Sequence, residues 1–472
     1  MRVLFVTWAW PTHFFPMVPL GWACAAAGHD VRVASQPGLA ETISHSGLTA
    51  VRVGSDVDFA ARQASRQAAG QQPPPGASGP DEALRVWRGT ARNCAELCEL
   101  MAADLRAFCL DWRPRLIVWD WLTFAAPIVA RELGIPSLRL RCQPDFMLSM
   151  HQTVAAMTAG DRQLSWPRDL FARHGVPFAG PPGAWGGDGN LDTCPPSVQP
   201  ADPGGIAARY LPYSGPAQAG APPARPARRP RVCVTMGMTM SRLRGADHIT
   251  MPGLLEALAG LDIDVLVAVP RPDPALARDL PGNITVAEGM PLDVLLPGCA
   301  AIVHHGGIGT AMTAARHALP QVITPVTADQ PLNARRFAAT GAALDVSAAA
   351  GPGAASAGTH AAGTHAAGTH SAGTHSAGAN SAGAKGAGTG AGAAADGAGA
   401  DADGAAAGLA GQDLAARAAA AVEAVLGQPG YRQAAAALSA QIAAMPAPSQ
   451  VVPALTGFAA AGTAVAATAA AV

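Results

Sequence analysis

The sequence predicts an α/β protein of two domains, each built on a parallel sheet. Three observations predict it. The chain opens with apolar runs alternating with helical patterns, the rhythm of parallel strands joined by crossover helices. The same rhythm restarts at Arg231, after a Pro-, Ala- and Arg-rich stretch at 215–230 that reads as an interdomain linker. At 472 residues, either half is long enough to bury its own core. The expected layout is a first domain over 1–214, a second over 231–458, and an Ala-rich, frayed tail at 459–472.

In the first domain the pattern predicts a strand at 3–7, a loop at 8–15, a helix at 17–27 closed by Gly28, a strand at 31–34 and a helix at 39–46 closed by Gly47. A polar, Pro-rich loop follows at 55–80. Residues 81–111 read as a long helix with Leu84, Trp87, Cys94, Leu97, Met101 and Leu105 on one face. A buried strand at 116–119 runs into Asp120, then a helix at 125–133 and a strand at 135–140. From 142 to 205 the text is aromatic, Pro-rich and irregular, and reads equally as surface loop or as the lining of an apolar pocket.

The second domain begins with a strand at 231–236 that runs into a turn carrying Gly237 and Thr239. A helix at 251–261, strands at 265–269 and 284–287 and the segment 291–296 lead to an apolar strand at 300–303. His304, His305, Gly306, Gly307, Ile308, Gly309 and Thr310 come next, then a helix over 310–318 with Thr310 as its expected N-cap. The next strand, 319–326, is followed by Asp329 and Gln330, a carboxylate and an amide expected at the C-terminal sheet edge, where open α/β sheets bind ligands. A helix at 333–341, a strand at 343–346 and helices at 412–426 and 430–445 complete the pattern.

Composition excludes several classes. A net charge of −1 gives no electrostatic footprint for nucleic acid. No signal peptide is expected, because the apolar start ends at Pro11 without a small-residue cleavage site, and the tail is too short to span a bilayer. The eight cysteines are scattered, which suggests no disulfide framework and fits a reducing cytoplasm. Cys94 and Cys98 read as buried neutral thiols. Residues 348–411 form a low-complexity insertion with His360, His365, His370 and His375 at five-residue spacing, which fits neither helix nor strand and reads as a disordered linker rather than a metal tract.

The glycine turn after 300–303 is the chemically informative stretch. Gly306, Gly307 and Gly309 let the backbone approach a ligand at a helix start, where unpaired N–H groups and a partial positive charge suit a phosphate. His305 adds a side-chain donor. A dinucleotide fingerprint fits less well, because Met312 stands where its third small residue belongs.

This motif, with Asp329 and Gln330, resembles the donor site of inverting, nucleotide-sugar-dependent glycosyltransferases of the two-domain GT-B fold. The similarity is to the actinobacterial antibiotic branch, which glycosylates macrolides, anthracyclines and related polyketides. It extends to 1–5, 18–20, 27–37, 47–50, 209–213, 431–435 and 445–448, and leaves out roughly 348–411. The resemblance implies two Rossmann-like parallel-sheet domains facing across a cleft, with the chain's end, 451–458, crossing back to the first domain. It implies transfer of a deoxysugar from a dTDP-sugar to a hydroxyl of an apolar polyketide-type aglycone. For some members it also implies a cytochrome-like helper protein as partner, with 55–80 as a contact region here.

By the same resemblance, His13, followed by Phe14, Phe15 and Pro16, matches the general base, and Asp120 its partner carboxylate. His305, with the amides of Gly307 to Thr310, matches the diphosphate site, Asp329 and Gln330 the sugar-hydroxyl site, and Met290, between Gly289 and Pro291, the nucleotide-base site. The Gly237 turn is a second place where amides could meet phosphate. His304 is expected on the other side of its strand, packed or bonded to backbone. No metal and no cofactor beyond the donor substrate are expected, since His305 and the helix amides would by themselves stabilise the charge that grows on the diphosphate. The alternatives are a GT-B nucleotide-sugar epimerase or hydrolase, and an inactive sugar-nucleotide binding protein.

Overall fold

Four central strands, Arg2–Val6, Leu116–Asp120, Arg231–Thr235 and Ala301–His304, are short, mostly apolar and buried on both faces, as parallel strands covered by helices must be. A computed structural model describes residues 1–57, 80–157, 164–181, 183–199, 204–217, 229–237, 251–269, 280–325, 329–348 and 399–470. Most of the expected loop at 55–80, most of the 215–230 linker, Thr239 and the histidine repeat lie outside the described residues.

In the first sheet β3 (Thr49–Arg52), β2 (Asp30–Ser35), β1 (Arg2–Val6), β4 (Leu116–Asp120), β5 (Ser137–Arg141), β6 (Gly189–Asp192) and β7 (Ile206–Ala207) lie side by side in that order, all parallel. In the second, β10 (Ile284–Glu288), β9 (Asp264–Val269), β8 (Arg231–Thr235), β11 (Ala301–His304), β12 (Gln321–Ile323) and β13 (Ala343–Asp345) repeat the arrangement, again all parallel. Each sheet therefore reverses its strand order once, between β1 and β4 and between β8 and β11. Outside the C-terminal ends of such neighbouring strands a crevice opens, and that is where open α/β sheets bind ligands.

Helical periodicity predicted the largest core element well. In the helix Pro80–Trp112, Trp87, Cys94, Leu97, Met101 and Leu105 are all at most 2% exposed, and all but Leu97 belong to the core on one face of the first sheet. Val3, Phe5, Leu138 and Leu140 pack in the core on the other face. The helix Pro448–Ala470 lays Val451, Val452, Leu455 and Ala459 into that same core, so the chain's end returns to the first domain. The expected frayed tail is corrected accordingly: Ala459 is 3% exposed and the helix runs on to Ala470.

The irregular region 142–205 holds more structure than its text suggests: helices Phe146–Met157 and Trp166–Arg173, then β6, with β7 just beyond it. β6 carries no β-branched residue and owes its conformation to pairing with β5, a tertiary override of propensity. Its polar side chains meet buried arginines. Arg139 Nε donates to Asn190 Oδ1 at 3.1 Å, and Arg141 pairs with Asp192 at 2.7 Å. The expected loop at 8–15 contains a short helix, Pro11–Phe14, with proline at its first position.

The expected insertion, 348–411, is also shorter than predicted. One helix, Gly399–Gly427, takes in its last residues, because an Ala-rich sequence propagates helix even with interspersed Gly and Asp. Arg417 Nη2 donates to the Ala348 carbonyl at 2.6 Å and so ties that helix to the start of the insertion. With both ends held together, loop closure costs little at any length. Deleting 352–396 should leave the melting temperature within about 3 °C of the full chain. A fall of about 10 °C or more in differential scanning calorimetry would mean that this segment packs on the domains.

Candidate functional site

Two clusters of polar side chains stand at the two strand-order reversals. In the first domain, β4 ends in Asp120, 3% exposed, and the short helix after β1 carries His13. His13 Nδ1 lies 2.6 Å from Asp120 Oδ1. The other carboxylate oxygen, Oδ2, accepts from the Thr123 hydroxyl at 2.8 Å, and the Thr123 N–H donates to the Asp120 carbonyl at 2.9 Å. Both carboxylate oxygens are thus committed, one as a local cap and one to the imidazole. An imidazole that donates through Nδ1 to a carboxylate presents Nε2 as an acceptor, the form a base requires. His13 also stacks on Trp121, ring centroids 5.5 Å apart, and meets Trp8 edge-on at 5.1 Å.

In the second domain, β11 delivers the two histidines to opposite environments. His304 is fully buried; its Nε2 lies 2.9 Å from Gln321 Oε1, and its Nδ1 accepts from the Gly306 N–H at 3.0 Å. These two bonds set its tautomer, with the proton on Nε2, and give it a structural role. His305 is 6% exposed, and its Nδ1 has no hydrogen-bond partner among the described residues. Its ring lies between two glycines. A Cβ at Gly237 would stand 2.3 Å from His305 Cε1, and one at Gly307 2.5 Å from His305 Nε2. Burial pushes His305 down to about 4, opposed by a hydrogen bond with the Thr235 backbone. Burial and the neighbouring His305 push His304 down to about 3. Both rings are neutral in the folded chain at neutral pH.

Gly306 has φ +88°, a conformation that L side chains rarely adopt, and turns the chain into the helix Ile308–Arg316. The N-cap of that helix is Gly307, not Thr310 as expected; Thr310 lies inside the first turn. A side-chain cap is missing because the turn is made of glycine, so the first-turn N–H groups have no intrahelical partner. Gly309 is exposed beside them.

Asp329 and Gln330 do not sit at the end of β12, which stops at Ile323. They start the helix Gln330–Ala339, Asp329 as its N-cap and Gln330, 5% exposed, as its first residue. Asn333, one turn further and wholly buried, donates to Asp329 Oδ2 at 2.9 Å and to the Gly306 carbonyl at 2.9 Å. It ties the carboxylate to the glycine turn. Burial raises the Asp329 pKa, while the bonds to backbone and Asn333 and the charge of His13 lower it. Met290, following the Gly289 turn after β10, is half-buried against the core containing Cys233 and Leu266.

Two family models match the chain: the N-terminal domain of erythromycin biosynthesis protein CIII-like proteins over residues 22–237, and their C-terminal domain over 253–359. The chain is 36% identical over 379 residues to aklavinone 7-beta-L-rhodosaminyltransferase of Streptomyces galilaeus, an alignment covering 73% of this chain and 84% of that protein. It is 35% identical over 367 residues to 10-deoxymethynolide desosaminyltransferase of Streptomyces venezuelae, covering 72% and 84%. The chain belongs to the erythromycin biosynthesis protein CIII-like family. Among solved structures, glycosyltransferase VinC in complex with dTDP aligns with TM-score 0.67 and 28% identity, over 97% of this chain and 99% of that one. Spinosyn rhamnosyltransferase SpnG complexed with spinosyn aglycone aligns with TM-score 0.67 and 26% identity, over 97% and 100%. The two-sheet architecture is the GT-B fold, and the chain is a glycosyltransferase.

In this CIII-like chain the domains are joined at the donor-side helices. Tyr210, in the segment after β7, lies within hydrogen-bond reach of the Gly309 carbonyl and of Thr313 Oγ1, each at 3.1 Å, both on the helix Ile308–Arg316. Arg336, on the helix begun by Asp329 and Gln330, donates through Nε to the Val198 carbonyl at 2.8 Å and through Nη2 to the Gln199 carbonyl. Cys194, Val198 and Tyr210 share one apolar cluster with Ala311, Met312 and Phe337.

The residues that sequence reasoning missed are mostly the supports: Thr123, Gln321, Asn333, Tyr210 and Arg336. Thr123 and Asn333 had a local signal, three and four residues after a functional carboxylate. Gln321, Tyr210 and Arg336 had none, since their partners are remote in sequence.

The buried histidines make stability depend on pH. In the unfolded chain each protonates near 6.5, in the folded chain only near 3 to 4, so the unfolded state binds more protons between those values. Their contribution is full above about pH 6.5 and is lost as pH falls towards 4. Asp329, with its raised pKa, pulls the other way, so the comparison must be with a variant. His304→Gln should flatten the dependence of unfolding free energy on pH between 4.5 and 6.5, by about 1.4 kcal/mol per pH unit near pH 5. Equal slopes in urea titrations of the two proteins would mean that His304 is not held neutral.

Proposed function

We propose that this chain is an inverting glycosyltransferase that moves a deoxysugar from a dTDP-sugar to a hydroxyl of an apolar polyketide-type acceptor, with His13 as general base. One observation carries the reading. The His13–Asp120 pair stands at one strand-order reversal, and His305 with a helix start that has no side-chain cap stands at the other. Both relatives compared above are glycosyltransferases by name, and the VinC structure holds dTDP.

In this reading the acceptor hydroxyl gives its proton to His13 Nε2 as its oxygen bonds the anomeric carbon. Asp120 fixes the ring and stabilises the imidazolium that forms, while Thr123 holds the carboxylate. The bond from the anomeric carbon to the diphosphate oxygen breaks on the opposite face, so configuration inverts. The electron pair stays on the departing dTDP. His305, neutral because it is buried, serves as an N–H donor to that charge together with the first-turn amides. Asp329 and Gln330 hold sugar hydroxyls, and Met290 lies at the nucleotide base. These groups supply the charge stabilisation without calling on a metal ion. A nucleotide-sugar substrate suits a cytoplasmic setting, and among the described residues no helix is long and apolar enough to cross a membrane. A cytochrome-like helper protein remains part of the proposal, read by adding it to the same transfer assay.

His13→Ala should lower turnover by about 10²- to 10⁴-fold and leave dTDP affinity unchanged, because the donor site is in the other domain. Asp120→Asn should lose no more than that, and the double variant should be little worse than His13→Ala, since the pair acts as a unit. Near-normal turnover in His13→Ala would sink the base assignment, and additive losses would sink the dyad.

His305→Ala removes a donor to the leaving group and should raise the barrier by about 3 kcal/mol while weakening dTDP binding. Calorimetry with dTDP and a transfer assay read the two effects. If neither changes, His305 is not at the diphosphate.

A further inference from the structure

A hydroxyl from the first domain reaches the start of the helix Ile308–Arg316. Tyr210 is buried, and its Oη lies 3.1 Å from the Gly309 carbonyl and 3.1 Å from Thr313 Oγ1. Thr313 Oγ1 itself donates to the Gly309 carbonyl at 2.7 Å. The phenol has one proton to give. Given to the carbonyl, it makes Gly309 accept from two hydroxyls. Given to Thr313, it heads a chain of two hydrogen bonds that ends on the same carbonyl. Burial pushes the phenol up to about 12, against a hydrogen bond with Thr313 that lowers it, so the proton is present at neutral pH. The backbone that carries the phenol is tied on both sides. The Ala208 N–H donates to the Asp192 carbonyl at 2.8 Å, at the edge of the first sheet. The Arg209 N–H donates to the Pro446 carbonyl at 2.7 Å and its Nε to the Met445 carbonyl at 2.9 Å, where the chain crosses back.

That carbonyl belongs to a peptide unit at the helix start. The Ala311 N–H makes an i→i−4 bond to the Gly307 carbonyl, the N-cap, at 3.0 Å. The N–H groups of Ile308, Gly309 and Thr310 precede it and point out of the helix start. The Gly309 carbonyl and the Thr310 N–H are the two ends of one peptide plane. A donor on the oxygen draws electron density towards it and leaves the N–H more positive, the cooperativity found along chains of hydrogen bonds. The same donors hold the orientation of that plane, which glycine by itself leaves soft. Packing does not ask for the hydroxyl: Tyr210 shares its apolar cluster with Ala311, Met312 and Ala315, where a phenylalanine ring would bury as much apolar surface.

We infer that Tyr210 is a positioning residue for the leaving group: from the first domain its hydroxyl orients and polarises the Gly309–Thr310 peptide, and so strengthens the hold of the Thr310 N–H on the donor's diphosphate. The inference rests on the proposed function and deepens its donor site. Thr313 is the second member of the device, through Oγ1. Because the charge on the diphosphate grows as the sugar leaves, a more positive N–H serves the transition state more than the bound substrate.

Calorimetry with dTDP, inorganic pyrophosphate and thymidine tests this without an acceptor. Tyr210→Phe keeps the ring and loses the hydroxyl. It should weaken dTDP and pyrophosphate binding by about three- to tenfold and thymidine binding by less than about twofold. Thr313→Val should show the same split, and Thr313→Ser, which keeps a hydroxyl, should bind dTDP as the wild type does. A purely structural tyrosine does not give this split, since a loosened domain contact weakens thymidine as well. Retained thymidine binding also shows that a variant is folded. Should Tyr210→Phe not fold, Thr313→Val and Thr313→Ser carry the same comparison. Unchanged affinity for dTDP and pyrophosphate in the hydroxyl-free variants, or equal losses for dTDP and thymidine, would overturn the inference and leave the proposed function standing, because the wild type still binds dTDP. If the wild-type chain binds neither dTDP nor pyrophosphate, the proposed function fails at its donor and takes the inference with it.

Discussion

In each sheet the crossover helices leave on one face to build the strands on one side of the first strand and on the other face to build those beyond it. The ends of β1 and β4, and of β8 and β11, are parted by that reversal and cannot be covered by a crossover. The base pair and the histidine turn are placed by this constraint, while Asp329 and Gln330 come in on the helix after β12. His13 follows β1 and Asp120 ends β4; Gly237 follows β8 and His305 follows β11. The two sheets share one topology, and the second differs mainly in what it puts at its reversal: backbone and glycine instead of aromatic rings.

Glycine at the donor reversal answers to sterics around one ring. Gly237 and Gly307 leave room for the His305 imidazole, and Gly306 takes a positive φ so that the strand can turn into its helix. The same burial that fixes the ring keeps it neutral. A neutral donor suits a site that must release its nucleotide product, because a buried cation would hold dTDP more tightly than the transition state needs. The acceptor reversal works the other way: His13 stays partly exposed, at 17%, and bonded to a buried carboxylate.

First-domain residues also hold the second domain directly. Tyr210, and Arg336 through the Val198 and Gln199 carbonyls, hold the donor-side helices to the first domain, and Gln199 is anchored in turn by its side chain, which donates to Asp192 Oδ1 at 2.9 Å. Asp192 pairs with buried Arg141 at the end of the first sheet. A chain of bonds thus runs from the first sheet, through Arg141, Asp192 and Gln199, to Arg336 on the helix that begins at Asp329.

By itself the sequence determined the elements whose cause is local. The apolar strands at β1, β4, β8 and β11, the long amphipathic helix with Trp87 and Met101, and the glycine turn after His305 are all legible from period, composition and backbone chemistry. The placing of Asp120 and His305 at strand ends is legible in the same way, whereas His13 was singled out by the resemblance of its His-x-x-Pro segment to the family's. What only the tertiary structure decided depends on partners far away in the chain. β6 is a strand because β5 offers its edge, and the helix Pro448–Ala470 has meaning because a first-domain core receives it. The 2.6 Å contact between His13 and Asp120 joins residues 107 apart, Tyr210 and Gly309 are 99 apart, and Arg336 and Val198 are 138 apart. No periodicity or propensity encodes such pairs, since they form only after the sheets have set where each strand ends.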